Sequence, residues 1–406
     1  MSRAPLLPVA DALARVLESA RDALPAEMVP LAEARGRTLA QDVAALRTQP
    51  PFPASAMDGY AVRAADIASV PAKLKVIGES AAGRRFKGAL AQGEAVRIFT
   101  GAPVPDGADT ILIQENTRAE DGIVIALESE TQGRYVRRAG LDFSAGDILL
   151  HKGRRLGPPE LALAAAMNHP ALPVTRKPRV ALLATGDELV RPGEEAGPDQ
   201  IVASNTFAVR AYAENAGADV IDLGIAGDRF EDIERAVRRA RDMGADVLVT
   251  LGGASVGDHD LVQTALSREG MELGFWRIAM RPGKPLMHGR IGDMRILGLP
   301  GNPVSAIVCG YLFLVPLVRA LSGDPQAGED RSELAVLASD LPENDSRQDY
   351  MRARIIGMQD GHPLVEAFGK QDSSMLRILS DAQCLIMREP HAPAAKAGET
   401  CRMMRV

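Results

Sequence analysis

The sequence is poor in aromatic and cysteine residues. Only 4% of its 406 residues are Phe, Trp or Tyr, so a nucleic-acid surface built from stacked aromatic rings is not expected. The three cysteines, Cys309, Cys384 and Cys401, are far apart and form no CxxC or CxxH pair. That spacing argues against a zinc site, a thiol redox centre and a disulfide framework.

The chain also lacks a basic excess and an uninterrupted apolar run of about 18 residues. Its net charge at pH 7 is −6, whereas nucleic-acid binders usually carry a basic surplus. The first 21 residues read as an amphipathic helix and contain no continuous apolar core of a signal peptide. We therefore expect a cytoplasmic protein that has no nucleic-acid or membrane partner.

Common catalytic motifs are missing as well. Gly283-Lys284 is followed by proline and lacks the upstream glycine of a Walker motif, GxGxxG does not occur, and no GxSxG nucleophile elbow stands out. The first two absences disfavour a P-loop NTPase and a nicotinamide dehydrogenase. The hydrophobic fraction of 46% and the charged fraction of 25% are ordinary for a globular protein, and the length accommodates two to four domains.

Changes in sequence pattern divide the chain. Residues 1–50 read mostly as helices, because apolar residues recur there at helical spacing. A proline cluster at 50–53 opens a region of short strand-like segments that extends to about Gly140. A helix is predicted after Pro158-Pro159. Residues 331–406 again read as short strands and turns.

Strands alternate with helices in the intervening part, a pattern typical of a mainly parallel sheet with helices on both faces. Ser204 and Asn302 are predicted as N-caps of two of these helices. The predicted strands are Val180–Ala184, Val220–Leu223, Asp246–Thr250, Phe275–Met280 and Arg295–Leu299, and the predicted helices are Asn205–Asn215, Phe230–Met243, Asp260–Ser267 and Pro303–Leu321.

Three strand-to-loop junctions in this region carry glycine and polar residues. They are Thr185 to Glu188, Gly252 to Asp260, and Leu299 to Ser305. Because the carboxyl ends of parallel strands share one edge of a sheet, these junctions predict a ligand pocket there. Glycine turns allow backbone N–H groups to approach a phosphate, and carboxylates beside them usually serve a cation. The residue types suit Mg²⁺-assisted handling of phosphate esters.

Two earlier segments also have polar residues at notable positions. Ser55 to Ala61 places Asp58 between a methionine and a glycine, and Ile98 to Pro105 places Thr100 at the end of a strand. Taken singly, each segment is more typical of an ordinary turn than of a functional site.

Six motifs resemble those of the molybdopterin molybdenumtransferase (MoeA) family, which is related to the E domain of gephyrin. In chain order they are SAMDGYA, FTGAPVP, ATGDEL, GGASVGD, RPGKP and LPGNPVS, and the resemblance runs from about residue 8 to the C-terminus. It implies an enzyme that converts adenylylated molybdopterin and molybdate into molybdenum cofactor and AMP. It also implies Mg²⁺ or a similar divalent cation as cofactor.

The resemblance further implies a multidomain α/β fold and an elongated homodimer. Protein partners that it implies are the adenylyltransferase and acceptor molybdoenzymes. The expected domains are a discontinuous helical domain at 1–50 and 141–175, whose first helix is free to pack on the α/β domain, an inserted β-rich domain at 51–140, a molybdopterin-binding α/β domain at 176–326 and a C-terminal β-barrel at 327–406.

The functional residues of the family map onto this sequence motif by motif. In the implied dimer, one subunit contributes Asp58, Thr100, Arg137 and Asp142 to the pocket of the other. The positions matched to catalysis are Asp58, Thr100, Asp142 and Glu188, and those matched to the cation are Glu188, Asp228 and Asp260. The positions matched to substrate binding are Arg137, Gly252, Gly253, Ser255, Asp260, Arg277, Arg281, Lys284, Pro300, Gly301, Asn302 and Ser373.

Three positions depart from the usual family pattern. Arg277 and Arg281 stand where many relatives have lysine, and arginine can hold an oxyanion but cannot act as a neutral amine. Asp372 adds a carboxylate beside Ser373, which puts the ligand role of that turn in doubt. Two alternative functions stay open, a molybdopterin adenylyltransferase and a non-catalytic cofactor-binding scaffold or insertion chaperone.

Overall fold

The structure of the protein is a computed structural model that describes residues 6–253 and 261–406. The chain forms two compact units, which are described separately. The small unit comprises Met28–Arg35 and Gln41–Leu172. The large unit comprises Met1–Glu27, Gly36–Ala40 and Pro173–Val406.

Helices and strands are numbered in chain order. The helices are α1 (Val9–Glu18), α2 (Pro158–Ala166), α3 (Asn205–Ala216), α4 (Phe230–Asp242), α5 (Leu261–Arg268), α6 (Pro303–Cys309), α7 (Val315–Leu321) and α8 (Leu376–Asp381). The strands are β1 (Ala26–Pro30), β2 (Val43–Ala44), β3 (Ala54–Ser55), β4 (Gly59–Val62), β5 (Ala72–Ser80), β6 (Glu94–Ile98), β7 (Thr110–Ile113), β8 (Thr117–Glu120), β9 (Ile123–Ala126), β10 (Val136–Arg137), β11 (Ile148–Leu150), β12 (Ala171–Thr175), β13 (Arg179–Thr185), β14 (Leu189–Val190), β15 (Ile201–Val202), β16 (Asp219–Ala226), β17 (Val247–Leu251), β18 (Glu272–Trp276), β19 (Met280–Arg281), β20 (Met287–Ile291), β21 (Met294–Leu299), β22 (Glu333–Leu337), β23 (Gln348–Gln359), β24 (His362–Ala367), β25 (Cys384–Arg388) and β26 (Thr400–Arg405).

A six-stranded sheet with the order β7-β4-β6-β5-β9-β8 forms the core of the small unit. Its pairs are antiparallel except for β5 and β6, which run parallel. Alternate residues of β4 face opposite sides, since Tyr60 and Val62 lie in one apolar cluster and Ala61 lies in another. Both faces of the sheet are therefore buried. Asp58 comes directly before β4, at the margin of this rigid layer.

The large unit contains a second six-stranded sheet with the order β16-β13-β17-β21-β20-β18. The first four strands are parallel. The last two are antiparallel to their neighbours and lie at one edge of the sheet. The prediction of a mainly parallel sheet is confirmed, and the carboxyl ends of β13, β17 and β21 lie side by side.

Helices cover both faces of this sheet. Val180 and Leu182 of β13 pack into one apolar cluster with α1, α3, α6 and α7, while Ala181 and Leu183 pack into another with α4 and α5. Val16 of α1 has no exposed surface, and complete burial of a valine side chain stabilises a fold by about 1.5–3 kcal/mol. The first helix is thus a layer of the α/β core.

The helix from Pro303 to Leu321 changes to π-helical geometry over Gly310–Leu314. By length and composition it could cross a membrane, but 78% of its most apolar stretch is buried inside the protein. Its residues belong to the same apolar cluster as α1 and α3. A helix that is apolar on all sides is expected in a core of this kind.

Five strands near the C-terminus close into a barrel with the order β23-β24-β22-β26-β25, and β25 pairs back to β23. Its interior is apolar and includes Leu337, Val365 and Ile386. Closure satisfies the backbone of both potential edge strands. The predicted C-terminal β-barrel is confirmed.

Two predictions of secondary structure are wrong. Residues 1–50 are not mostly helical, because within the described residues 6–50 only α1 is an α-helix, and β1, a 3₁₀ turn and β2 follow it. Pro25 precedes β1 and Pro30 ends it, and proline lacks the N–H group that a helix interior needs. The strand predicted at Phe275–Met280 ends at Trp276. Arg277 adopts a left-handed φ of 72° and turns the chain out of the sheet.

Candidate functional site

The three strand-to-loop junctions meet at the carboxyl edge of the large-unit sheet. The Gly252 N–H donates to the Leu299 carbonyl at 3.2 Å, and a Cβ on Gly301 would lie 3.5 Å from the Gly252 Cα. A Cβ on Gly252 would lie 2.7 Å from the Thr185 carbonyl oxygen. Gly252 of the second junction therefore contacts both of the other junctions, and a side chain at Gly252 would push it away from the first junction.

A cavity of about 740 Å³ lies among these junctions. This volume is within the range of pockets that hold small organic ligands. The predicted site residues that line it are Glu188, Gly252, Gly253, Pro300, Gly301 and Asn302. Polar lining residues that were not among the predicted site residues are Thr185, Ser204, Asn205, Thr206, Ser305 and Ser374.

Glu188 reaches the cavity from the first junction. Gly186 has a φ of 142°, and a Cβ at this position would collide with the Glu188 carboxylate, which lies back over the glycine. Only glycine leaves room for this arrangement. Glu188 is exposed, so its carboxylate is accessible to a ligand in the cavity.

Asp228 follows β16 and is linked to the first junction through Asp187. The Asp228 N–H donates to Asp187 Oδ1 at 3.1 Å, and the Asp187 N–H lies 3.5 Å from Asp228 Oδ2. Asp228 itself is not among the residues that line the cavity. Within residues 6–253 and 261–406, no three His, Cys, Asp or Glu side chains form a group that could hold a metal ion. The cation role of Glu188 and Asp228 stays a prediction.

Gly252 and Gly253 turn the chain immediately after β17. Their φ angles are 99° and 66°, which L-residues rarely adopt. A Cβ on Gly253 would also lie 2.9 Å from Thr185 Oγ1. Ser255 and Asp260, which were predicted to bind substrate, lie outside the described residues.

Two helices begin at the cavity, α3 at Asn205 and α6 at Pro303. The first N–H groups of a helix have no partner within it and carry partial positive charge, which favours an anionic group nearby. Ser204 and Asn302 occupy the N-cap positions, as predicted, although neither side chain makes a capping hydrogen bond. Ser204 already has a helical backbone conformation. Asn302 turns its side chain towards Ser373.

A turn of the C-terminal domain forms one side of the cavity. Asn302 Nδ2 donates to Ser373 Oγ at 2.9 Å, and the neighbouring Ser374 lines the cavity. Asp372 Oδ1 accepts hydrogen bonds from the Ser374 hydroxyl at 2.6 Å and the Ser374 N–H at 2.8 Å. These hydrogen bonds hold the pKa of Asp372 below its usual range. The extra carboxylate is therefore engaged within its own turn.

Three of the four predicted basic residues, Arg277, Arg281 and Lys284, lie near the cavity in sequence, but none belongs to its lining in the described part of the chain. Lys284 directly precedes Pro285, which is a lining residue. Arg281 forms an ion pair with Asp349, and the hydrogen bond to that carboxylate raises the pKa of Arg281. Arg277 is half-buried. Their substrate-binding roles stay predictions.

Asp58 and Thr100 contact each other in the small unit. The backbone N–H and the hydroxyl of Thr100 donate to Asp58 Oδ1 at 2.7 and 2.8 Å. These hydrogen bonds, together with the positive charge of Arg97, hold the pKa of Asp58 below its usual range. Arg97 also donates to the Gly59 carbonyl at 2.9 Å and lies 4.9 Å from the ring centre of Phe99. Asp58 is therefore an ionised carboxylate in a constrained turn at neutral pH.

Arg137 and Asp142 lie beside the chain segment that leads into Asp58. Arg137 pairs with Ala54 in the ribbon of β10 and β3. The Asp142 N–H donates to the Gln49 carbonyl at 3.0 Å. Four predicted residues therefore lie on segments that the small unit brings together, although other strands separate these segments in the sequence.

The cysteines offer no reactive thiolate. Burial raises the pKa of Cys309, and it raises the pKa values of Cys384 and Cys401 to about 11. All three thiols are therefore protonated at neutral pH, and a protonated thiol is a poor nucleophile. Any thiol chemistry at the cavity must come from a ligand.

Two of the polar lining residues that were not among the predicted site residues, Thr185 and Asn205, carry buried polar atoms. Thr185 ends β13 and is 2% exposed, and Asn205 begins α3. Their Oγ1 and Oδ1 atoms are buried and have no hydrogen-bond partner among the residues that the structure describes. Their positions in the sequence could have indicated them, because the ends of strands and the starts of the following helices surround the ligand site of an open α/β sheet.

Family models match nearly the whole chain. Residues 7–168 match the MoeA N-terminal region (domain I and II), and residues 181–320 match a probable molybdopterin binding domain. Residues 334–405 match the MoeA C-terminal region (domain IV). All lining residues of the cavity except Ser374 fall within the second match.

Curated relatives are similar over almost their full length. The molybdopterin molybdenumtransferase of Haemophilus influenzae is 35% identical over 396 residues, which cover 97% of each protein. The molybdopterin molybdenumtransferase of Bacillus subtilis is 34% identical over 408 residues, which cover 98% of this chain and 94% of the relative. The similarity therefore extends through both units.

Solved structures show the same architecture. The fold matches the molybdopterin biosynthesis moeA protein from Pyrococcus horikoshii with a TM-score of 0.84 and 30% identity over 99% of both chains. A second structure of that protein matches with a TM-score of 0.83 and 26% identity. The multidomain α/β fold predicted from the sequence is confirmed, and the chain belongs to the molybdopterin molybdenumtransferase (MoeA) family.

Proposed function

We propose that the protein inserts molybdate into adenylylated molybdopterin, which releases AMP and forms molybdenum cofactor. The observation that carries this proposal is the cavity of about 740 Å³ at the carboxyl edge of the sheet. A glycine turn, two helix starts and the Glu188 carboxylate surround it. Curated relatives that match nearly the whole chain bear the name of this activity.

The wall of the cavity is suited to a phosphorylated ligand. The Gly253 N–H offers a donor to phosphate oxygens, and the start of α6 adds positive potential, whereas the Gly252 N–H already donates to the Leu299 carbonyl. Positive charge in this part of the sequence comes from Lys284, Arg277 and Arg281. The dithiolene thiols belong to the substrate, which agrees with the protonated cysteines of the protein.

The oxygen donors of the first junction fit Mg²⁺. Mg²⁺ is commonly held by one or two carboxylates together with water and substrate phosphates, and Glu188 is an exposed carboxylate beside the cavity. We propose that Glu188 holds the ion, with Asp228 and Asp260 as further ligands or orienting groups. When bound, the ion would neutralise negative charge that develops on the departing AMP.

We further propose a homodimer whose active sites draw on both subunits. Asp58 and Thr100 would act as a preorganised, ionised pair, and Arg137 and Asp142 would help to position molybdate or the phosphoanhydride. A cytoplasmic location, and the adenylyltransferase and acceptor molybdoenzymes as protein partners, belong to the same proposal.

Anaerobic incubation of the purified protein with adenylylated molybdopterin, molybdate and Mg²⁺ tests the function. We expect AMP release that depends on molybdate and is coupled to cofactor able to reconstitute an apo-molybdoenzyme. Consumption of ATP with unmodified molybdopterin would instead identify an adenylyltransferase. Tight binding without either reaction would identify a scaffold or insertion chaperone.

A further inference from the structure

We propose that Thr185 and Asn205 bind the N–H-bearing edge of a heterocyclic ring, so that this part of the cavity receives the ring of the ligand and not its phosphate. The inference rests on the proposed function, which supplies a ligand with two such rings, pterin and adenine. It names two positioning residues and the chemical group that they recognise.

The orientation of the Asn205 amide follows from its one hydrogen bond to the protein. Asn205 Nδ2 lies 2.7 Å from the Gly301 carbonyl oxygen. A carbonyl oxygen can only accept, so the atom that faces it must be the NH₂ group. The other atom of the amide is therefore the acceptor Oδ1, and it is buried without a donor among the described residues.

Thr185, which also lines this cavity, carries a second unsatisfied group. Thr185 is 2% exposed, and its Oγ1 atom is buried without a hydrogen-bond partner in the described ranges. A hydroxyl can donate one hydrogen bond and accept others. The cavity therefore combines one acceptor of fixed orientation with one group that can adapt.

This combination discriminates between ligand groups. Fully ionised phosphate oxygens are acceptors only, so they cannot satisfy Asn205 Oδ1 and would repel it. A ring amino or amide N–H can donate to Asn205 Oδ1, while an adjacent ring oxygen or nitrogen accepts from the Thr185 hydroxyl. The pyrimidine edge of a pterin and the amino edge of adenine both offer this arrangement.

Thr185→Val is the critical variant, because valine keeps the shape of threonine and removes only the hydroxyl. Since the buried hydroxyl has no partner among the described residues, the ligand-free variant should melt at the same temperature as the parent or higher. Its affinity for the ligand should fall about 3- to 10-fold, the usual effect of one hydrogen bond. A purely structural role would lower the melting temperature and leave affinity unchanged.

Thr250→Val is the matched control. Thr250 lies on β17, has no exposed surface, and its Oγ1 also lacks a partner among the described residues, but it does not line the cavity. We expect no change in affinity for this variant. Asn205→Ala should weaken binding by about 10-fold or more, because it removes the acceptor and frees the Gly301 carbonyl.

Isothermal titration with AMP, with anaerobically prepared molybdopterin and with inorganic phosphate completes the test. If Thr185→Val and Asn205→Ala weaken the binding of AMP alone, adenine lies at this edge of the cavity. If they weaken the binding of molybdopterin alone, the pterin lies there. The inference would be overturned if both variants kept the parent's affinity for AMP and for molybdopterin while molybdate-dependent AMP release persists. It would also be overturned if Thr250→Val lost as much affinity, or if the two variants lost as much affinity for phosphate. Failure of the parent to bind either compound or to release AMP would overturn the proposed function itself.

Discussion

Replacement of Gly252 by alanine tests whether the second junction requires a residue without a side chain. Gly252 has a φ of 99°, and a Cβ there would lie 2.7 Å from the Thr185 carbonyl oxygen. A non-glycine residue held in such a conformation costs about 1–3 kcal/mol, and overpacking against fixed backbone adds about 1–3 kcal/mol. We therefore expect Gly252→Ala to lower the free energy of unfolding by about 2–6 kcal/mol.

Substitutions at two other glycines distinguish the backbone strain from the steric overlap in this loss of stability. Gly270 has a φ of 89°, and no atom lies within 4 Å of the position that a Cβ would take there, so Gly270→Ala should show the strain alone, about 1–3 kcal/mol. At Gly301 a Cβ would make only an ordinary contact of 3.5 Å with the Gly252 Cα. Gly301→Ala should therefore melt close to the parent but bind ligand less tightly, because the new methyl group lies at the cavity wall.

Thermal unfolding followed by circular dichroism, with titration of AMP or adenylylated molybdopterin, gives both quantities for each variant. The order of stability should be Gly301→Ala, then Gly270→Ala, then Gly252→Ala. Equal melting temperatures for Gly252→Ala and Gly270→Ala would refute the steric part of the reasoning. Unimpaired ligand binding by a folded Gly252→Ala variant would refute the role of this turn in the site.

Glu188→Ala should keep the fold and lower AMP release by about 100-fold; near-normal turnover with an unchanged Mg²⁺ requirement would reject the assignment. Asp58→Ala should slow turnover but bind adenylylated molybdopterin like the parent, and an affinity loss as large as that of Glu188→Ala would make Asp58 a binding residue. A mixed dimer of these two variants should recover about half of the wild-type sites, and a verified heterodimer without activity would count against shared sites. Thr100→Val removes one hydrogen bond that lowers the pKa of Asp58. Because less Asp58 is then ionised at a given acidic pH, the acid limb of the kcat profile should move to higher pH; an unmoved limb would show that Asp58 does not control it.

Much of the α/β architecture can be predicted from the sequence, because it depends on local pattern and on general rules of topology. The apolar run at Val180–Ala184 corresponds to β13, and the alternation of strands and helices leads to a parallel sheet. The same rules place the three polar junctions at one sheet edge. Resemblance in six motifs supplied the family and the barrel, which periodicity did not indicate.

Only the tertiary structure decided which polar groups pair and which stay open to a ligand. Asn302 has the sequence position of a helix cap but bonds to Ser373, a residue far along the chain. Arg281 pairs with Asp349 in the same way. Side chains choose partners by distance and direction after the chain has folded, and sequence spacing contains neither quantity. For the same reason the orientation of Asn205 was not predictable, since it depends on the Gly301 carbonyl that a separate strand brings to the start of α3.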